Sequence, residues 1–533
     1  ACRPRVAAMD RPAKLRKLND LKQKVPHVTA SAFASLVTEL KKEGLPDLAA
    51  RKHVREAEEQ ELATETRHGP LLASLLVMTK AGTPKRIPAA DPLALLDACF
   101  SRGGAHERLL HEAWKKHPCS PEKPWRLIVY ADEITPGNVL AHENLRRMWA
   151  FYLSIQEYGA VNLQQEGAWL CPLVVRSSEV AQIESGVAQL AAALLRSIFA
   201  RPAGDVKSAG ALFRDSQGSP FRLFLDLGFF LQDGGAHKSM LSIKGDAGSR
   251  FCLLCKNLYS KASKSIVDNE ELLTCDMLTE SSLLLATDAE IMDSVTRLGR
   301  KASELTKTDF DKWQQAVGMN YEPLGLLADD RLRHVLAPAS QFVHDWAHCL
   351  LVHGVLQSLT WWLVESAQDA SLDVPAALRG FCAGWTLPVA YKRDVAGLWN
   401  AKRTVANKKA GCLKCTASDA LAMYPILAYF LLVVVPQNDL CNEKKAFLAL
   451  ALVLDLIQAV PLHAVHPETL RAAVEAFYSA VKAAGWEARA HAKFHWMVHF
   501  ASHLQSKHML PGCLVQERKH RLLKRFGADT QNT

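Results

Sequence analysis

The chain has 533 residues, 49% of them hydrophobic, and its 64 basic side chains against 55 acidic ones give a formal charge of +9. That length calls for more than one lobe, and that apolar content excludes a disordered chain. The mild basic excess permits a polyanionic partner without demanding one, and thirteen scattered cysteines exclude the disulfide framework of a small secreted domain.

Residues 1–120 read as a helical N-terminal region. LRKLNDLKQKV and SAFASLVTELKKEGLPDLAARKHVREAEEQEL carry apolar residues at three- and four-residue steps. Their Lys and Arg can face DNA or form the solvated side of amphipathic helices. KAGTPKRIPAADP reads as a linker, followed by a short helical piece through Trp114. The basic start lacks the apolar core of a signal peptide. The longest apolar stretches are Tyr424–Pro436, too short to span a bilayer, and Ala446–Val460, which contains Asp455. A reduced intracellular protein with no membrane partner is expected.

The character changes at Pro124. WRLIVYADEITPGN, MWAFYLSIQEY and AWLCPLVVRS are strand candidates, VAQIESGVAQLAAALLRSIFA has helical periodicity, and the apolar run from Phe221 ends at Asp233. Three strands, a helix and another strand is the order of a ribonuclease-H-like core, in which the first and fourth strands lie side by side. Residues 124–255 are assigned to that core, 256–507 to an all-helical insertion, and 508–533 to a C-terminal helix that completes the core and a tail. The fold class is thus α/β, a mixed sheet interrupted by a large all-α insertion.

Asp132 and Asp233 stand at two predicted strand ends, and Glu517 lies on the late helix LVQERKHRLLKRF. Clustered carboxylates of this kind can hold two divalent ions for phosphodiester chemistry. Glu133 and Asp226 compete on the same strands; the Gly234-Gly235 turn favours Asp233 over Asp226. Cys252-Leu-Leu-Cys255 has the spacing of a zinc pair that needs two more ligands. Asp345 and His348, three apart on a predicted helix, are the most suggestive partners. Cys412 and Cys415 are expected to be packed thiols. His495 and His499 can bind a metal, but their aromatic neighbours favour packing. No Walker loop, dinucleotide fingerprint or GxSxG elbow is present, which moves ATP-driven, hydride-transfer and acyl-transfer enzymes down the list.

Asp233-Gly-Gly-Ala-His-Lys238, with Gly245 and then Cys252-Leu-Leu-Cys255, resembles a block of the CACTA and Kyakuja–Dileera–Zisupton cut-and-paste transposases. Tyr130-Ala-Asp132-Glu133 is similar to their first catalytic Asp block, and Asp345-Trp-Ala-His348 to the downstream C/DxxH signature that the related hAT enzymes share. Lys493-Phe-His495-Trp-Met-Val-His499, followed by Gln516-Glu517-Arg518, resembles their closing Glu-Arg block. The resemblance implies a DDE-type nuclease and strand transferase whose Asp132, Asp233 and Glu517 hold two Mg²⁺ or Mn²⁺ ions. It implies transposon-end DNA as partner, a homo-oligomer when active, and a nuclear location. Lys238, Arg518, Lys519, Arg521, Lys524 and Arg525 are the expected phosphate contacts. A structural Zn²⁺ is expected on Cys252, Cys255, Asp345 and His348. Two other readings stand beside it: a catalytically inactive transposase-derived DNA- or chromatin-binding protein, and a helical scaffold for another protein.

Overall fold

The computed structural model describes residues 30–43, 62–136, 146–202, 204–260, 273–369, 373–387, 394–436, 438–462 and 464–529, with a few isolated positions between 52 and 60. Ala1–Thr64 form one compact unit, in which the helix Ala30–Glu43 is described, and Glu65–Thr533 form another. LRKLNDLKQKV lies outside the described residues.

The second unit is mixed α/β and centred on a five-stranded sheet. Its strands are β1 (Trp125–Ile134), β2 (Met148–Ile155), β3 (Leu170–Arg176), β4 (Leu225–Gln232) and β5 (Phe342–His344), in the spatial order β5-β4-β1-β2-β3. β1, β2 and β3 form an antiparallel meander. β4 runs parallel to β1, and β5 parallel to β4. The central strands are buried on both faces, so WRLIVYA and LGFFLQ read as continuous apolar runs rather than alternations. Helix α1 (Gly186–Phe199) supplies the crossover between β3 and β4 and buries eleven of its residues, most of them Ala, Leu or Val. Short α2 (Gly234–Leu241) starts immediately after β4, so Gly234-Gly235 open a helix, not the expected turn.

Two hydrophobic clusters fill the unit. The first surrounds the sheet and extends through α3 (Asp288–Glu304) to Val343. The second is formed by the helical region after β5: α4 (Trp346–Leu351), α5 (Val355–Asp369), α6 (Ala417–Val433), α7 (Cys441–Ala459) and α8 (Pro467–Ala483). The chain then returns to the sheet in α9 (Leu514–Asp529), whose Val515 packs in the first cluster.

Two boundaries differ from the sequence reading. The segment 256–345 is not part of an all-helical insertion, because it carries α3 and supplies β5 to the sheet. Three residues, Phe-Val-His, are too few to show a strand period. Nor is the region before residue 120 wholly helical, since Leu72–Met78 and Pro84–Ala90 pair as an antiparallel hairpin. Its second strand is the supposed linker: Pro84 and Pro88 sit on an edge, where no ladder donor is lost. By length and composition the helical stretches Trp346–Asp369 and Cys441–Leu462 are apolar enough to cross a bilayer. The first is 83% buried inside the fold, as a core helix is. In the second, Asp455 accepts a 2.6 Å hydrogen bond from the Tyr424 hydroxyl.

Candidate functional site

Strand register builds the acidic cluster. Phe230 of β4 pairs with Val129 of β1, so three residues further on Asp233 stands level with Asp132. Gln232 pairs with His344 of β5, so Asp233 is also level with Asp345. Three neighbouring parallel strands thus end at one edge, each followed or closed by an aspartate. Parallel strands ~4.8 Å apart bring such side chains together.

The competing acids are elsewhere. Successive residues on a strand face opposite sides, and Glu133 is held on its own side by Ser177 Oγ at 2.6 Å and Arg147 at 3.4 Å. Asp226 pairs in register with Arg126, roughly 20 Å along the strands from Asp132, and binds Lys207 at 3.0 Å.

Each acid is fixed by a different local device. Asp132 Oδ2 accepts a hydrogen bond from the Tyr130 hydroxyl at 3.3 Å. Asp233 caps α2, accepting the Ala236 N–H at 2.6 Å. Asp345 caps α4 through Ala347 N–H at 2.9 Å and His348 N–H at 3.1 Å, and also accepts Cys513 N–H at 3.1 Å. Its other oxygen takes a hydrogen bond from His348 Nδ1, which turns Nε2 towards Glu517 Oε1 at 3.6 Å. Glu517, in the first turn of α9, is the most exposed of the group.

The electrostatics follow from this crowding. Burial first, then the charges of Asp233 and Glu517, push the Asp132 carboxyl up to about 8. Burial also raises Glu517, with Asp345 and Asp233 adding to it and His348 opposing. For His348 burial works against the charged ring, but Asp345, Asp233 and Glu517 outweigh it and push the imidazole up to about 9. Burial would raise Asp345, yet the His348 charge and the hydrogen bonds it receives hold it below the usual carboxylate range. A cluster of acids whose mutual repulsion favours protonation is one that a divalent cation would relieve.

A second cluster lies between the two hydrophobic clusters. Cys252, Cys255, His495 and His499 are all buried, and their four ligand atoms lie within 4.8 Å of one another. Cys252 Sγ is 3.4 Å from His499 Nε2, Cys255 Sγ is 3.4 Å from His495 Nε2, and the two Nε2 atoms are 3.3 Å apart. Ligand atoms around a tetrahedral zinc stand about 3.3–3.8 Å apart, so the set can hold a metal. His495 Nδ1 donates to the Met277 carbonyl at 3.1 Å, which fixes the tautomer that leaves Nε2 free as a ligand. Burial opposes ionisation of Cys252, but the proton of Cys255 and the nearby His499 and His495 outweigh it and hold Cys252 as the thiolate.

The structure corrects the expected ligand set here. Asp345 and His348 do not join the cysteine pair; β5 carries them to the acidic edge, where with Cys513 they form a separate group. The two histidines set aside as packing residues take their place. The four-residue spacing in KFHWMVHF was the signal, and long-range packing decided it. Cys412 and Cys415 join no metal-ligating group among the described residues. His520, one turn after Glu517, was missed altogether and lies against Asp132 and Glu517.

The expected phosphate contacts divide. Lys238 pairs with Asp246, and its stem covers Gly245, whose φ of +54° and lack of a Cβ leave room for it. Arg518 donates to Gln164 O at 2.8 Å, and Lys519 to Glu166 O at 2.9 Å and to Trp169 O, so both clip α9 to the connection between β2 and β3. Arg521 and Lys524 are exposed, and the side chain of Arg525 lies outside the described residues. Neither a protein-family model nor a curated protein matches this chain.

Proposed function

We propose that the protein is a DDE-type transposase-like DNA nuclease and strand transferase, built on a ribonuclease-H-like core. What carries this reading is that Asp132, Asp233 and Glu517, distant in sequence, come to one edge of the sheet, where burial first and then the charges of Asp233 and Glu517 push the Asp132 carboxyl up to about 8. The strand order β5-β4-β1-β2-β3, three antiparallel and two parallel, supports the fold assignment.

On this reading two Mg²⁺ or Mn²⁺ ions bound by these acids supply Lewis-acid stabilisation of the attacking and leaving oxygens. Water attacks phosphorus, the P–O3′ bond breaks and the leaving oxygen takes a proton to become a free 3′-hydroxyl. That hydroxyl then attacks a target phosphodiester, forming a new P–O bond as the target's own P–O3′ bond breaks and its 3′ oxygen leaves with a proton. Glu517 is placed to accept the proton of the nucleophile, and His348, fixed by Asp345, to orient Glu517. Cys252, Cys255, His495 and His499 would hold a structural Zn²⁺ that joins the helical region to the core. DNA ends, self-association and a nuclear site of action belong to the same proposal.

Asp233→Asn is the test, because Asn also caps helices and leaves α2 intact. Metal-dependent nicking of terminal-repeat DNA should fall at least about 10³-fold, about 4 kcal/mol of transition-state stabilisation. Nicking unchanged in this variant would remove the assignment. A second reading, a DNA-binding protein that no longer cleaves, has the exposed Arg521 and Lys524 as its phosphate contacts and needs nothing of the acids. Salt-dependent binding without metal-dependent cleavage would select it.

A further inference from the structure

His520 stands beside the acidic cluster with no hydrogen bond to account for its burial. Its side chain is 1% exposed. The ring stacks on Tyr152 at 5.5 Å between centroids and tilts against Tyr130 at 6.0 Å, which fixes its plane. Nε2 is buried without a partner. Nδ1 lies 3.7 Å from Asp132 Oδ2 and 3.7 Å from Glu517 Oε2, beyond hydrogen-bond distance of either. Nδ1 is thus the ring atom that faces the two carboxylates, and a buried imidazole nitrogen aimed between two carboxylates is arranged as a ligand.

The spacing agrees. The ligand atoms of Asp132, Glu517 and His520 lie within 4.8 Å of one another. Neighbouring ligands of a six-coordinate ion with ~2.1 Å bonds sit about 3 Å apart, so the two 3.7 Å separations from Nδ1 would close by about 0.7 Å around an ion. Glu517 and His520 are three residues apart on α9, which aims both side chains at Asp132.

We propose that Asp132, Glu517 and His520 Nδ1 form one of the two metal positions, and that the imidazole makes this position select Mn²⁺ over Mg²⁺. The inference rests on the two-metal reading above and gives it a metal preference that three carboxylates alone do not. Nitrogen ligands suit the later divalent metals, whereas Mg²⁺ keeps to oxygen and holds its waters. Tyr130 and Tyr152 serve as the wall that keeps the ring in place, and the hydrogen bond from Tyr130 holds Asp132 Oδ2 towards it.

The test is electron paramagnetic resonance of Mn²⁺ bound to the full chain with its zinc retained. Wild-type protein should show ¹⁴N hyperfine coupling from a directly bound imidazole. The coupling should vanish in His520→Gln and persist in His348→Gln, and the ratio of Mn²⁺ to Mg²⁺ affinity should fall at least about tenfold in the first. Asp132→Asn should lose the ion. Mn²⁺ that binds through Asp132 without nitrogen coupling would overturn the role of His520 and leave the two-metal reading standing. Coupling that persists in His520→Gln would do the same, assigning the nitrogen elsewhere. Neither Mn²⁺ nor Mg²⁺ binding in an Asp132-dependent manner would overturn both.

Discussion

The two clusters of metal-ligating side chains are built on opposite principles. Cys252, Cys255, His495 and His499 are all buried, come two each from segments far apart in the chain, and present four donors at tetrahedral spacing. The acids at the sheet edge are partly open, and burial first, then their like charges, push Asp132 and Glu517 towards protonation. A closed four-donor set suits a metal that holds a fold together; an open set with a half-buried Glu517 leaves positions for water and substrate. The first cluster should therefore answer to substitution in stability, the second in activity.

The largest effect belongs to the closed cluster. An intact structural zinc site contributes about 10–16 kcal/mol of binding energy in small zinc domains. Purified protein should contain about one zinc per chain, and Cys255→Ser should lose it together with cooperative melting of the helical region. Zinc content and a melting curve followed by circular dichroism check this. A folded Cys255→Ser variant with wild-type melting would mean that the cluster is packing alone.

The open cluster should show itself in how stability varies with pH as well as in activity. Asp132 at about 8 and His348 at about 9 both lie above their unfolded values. The native state therefore holds these protons more tightly than the unfolded chain does. Their stabilisation is complete below the unfolded values and is lost as pH rises, from about 4 to 8 for Asp132 and about 6.5 to 9 for His348. Protein dialysed free of Mg²⁺ and Mn²⁺, zinc retained, should lose up to about 1.4 kcal/mol per pH unit for each group across its window. Asp132→Asn should remove the lower part of that slope, and added Mn²⁺ should flatten it. A slope indifferent to both would mean that the acids do not crowd one another.

Much of this contrast was readable from residues, and the remainder was not for a physical reason. The strands of the meander and β4 announce themselves as buried apolar runs, and the acids at their ends follow. β5 does not: Phe342–His344 has no period, yet it alone decides that Asp345 and His348 stand at the acidic edge. Asp345–His348 and His495–His499 offer equally plausible helical spacings, and only packing between distant segments assigns each pair to its cluster. The hairpin before residue 91 was hidden by the Gly and Pro that make its turn and edge. His520 was in plain view beside Glu517, but its burial against Tyr152 is a tertiary fact.

The smallest effects separate cations that hold the fold from cations free to meet a phosphate. Lys519 donates to two backbone carbonyls from a partly buried position, so Lys519→Ala should cost about 1–3 kcal/mol by leaving those acceptors unpaired. It should change the salt dependence of DNA binding little. Arg521 and Lys524 are exposed, and replacing either should leave stability within about 0.5 kcal/mol. Each should reduce the slope of log affinity against log salt by about 0.9 if it meets a phosphate. The two outcomes exclude each other for a given side chain, because an ammonium held by protein carbonyls is not free to displace a cation condensed on a DNA phosphate. A salt slope that changes with Lys519 and not with Arg521 or Lys524 would place the DNA on the opposite face of α9, against the connection between β2 and β3, where Gln164 and Glu166 now sit.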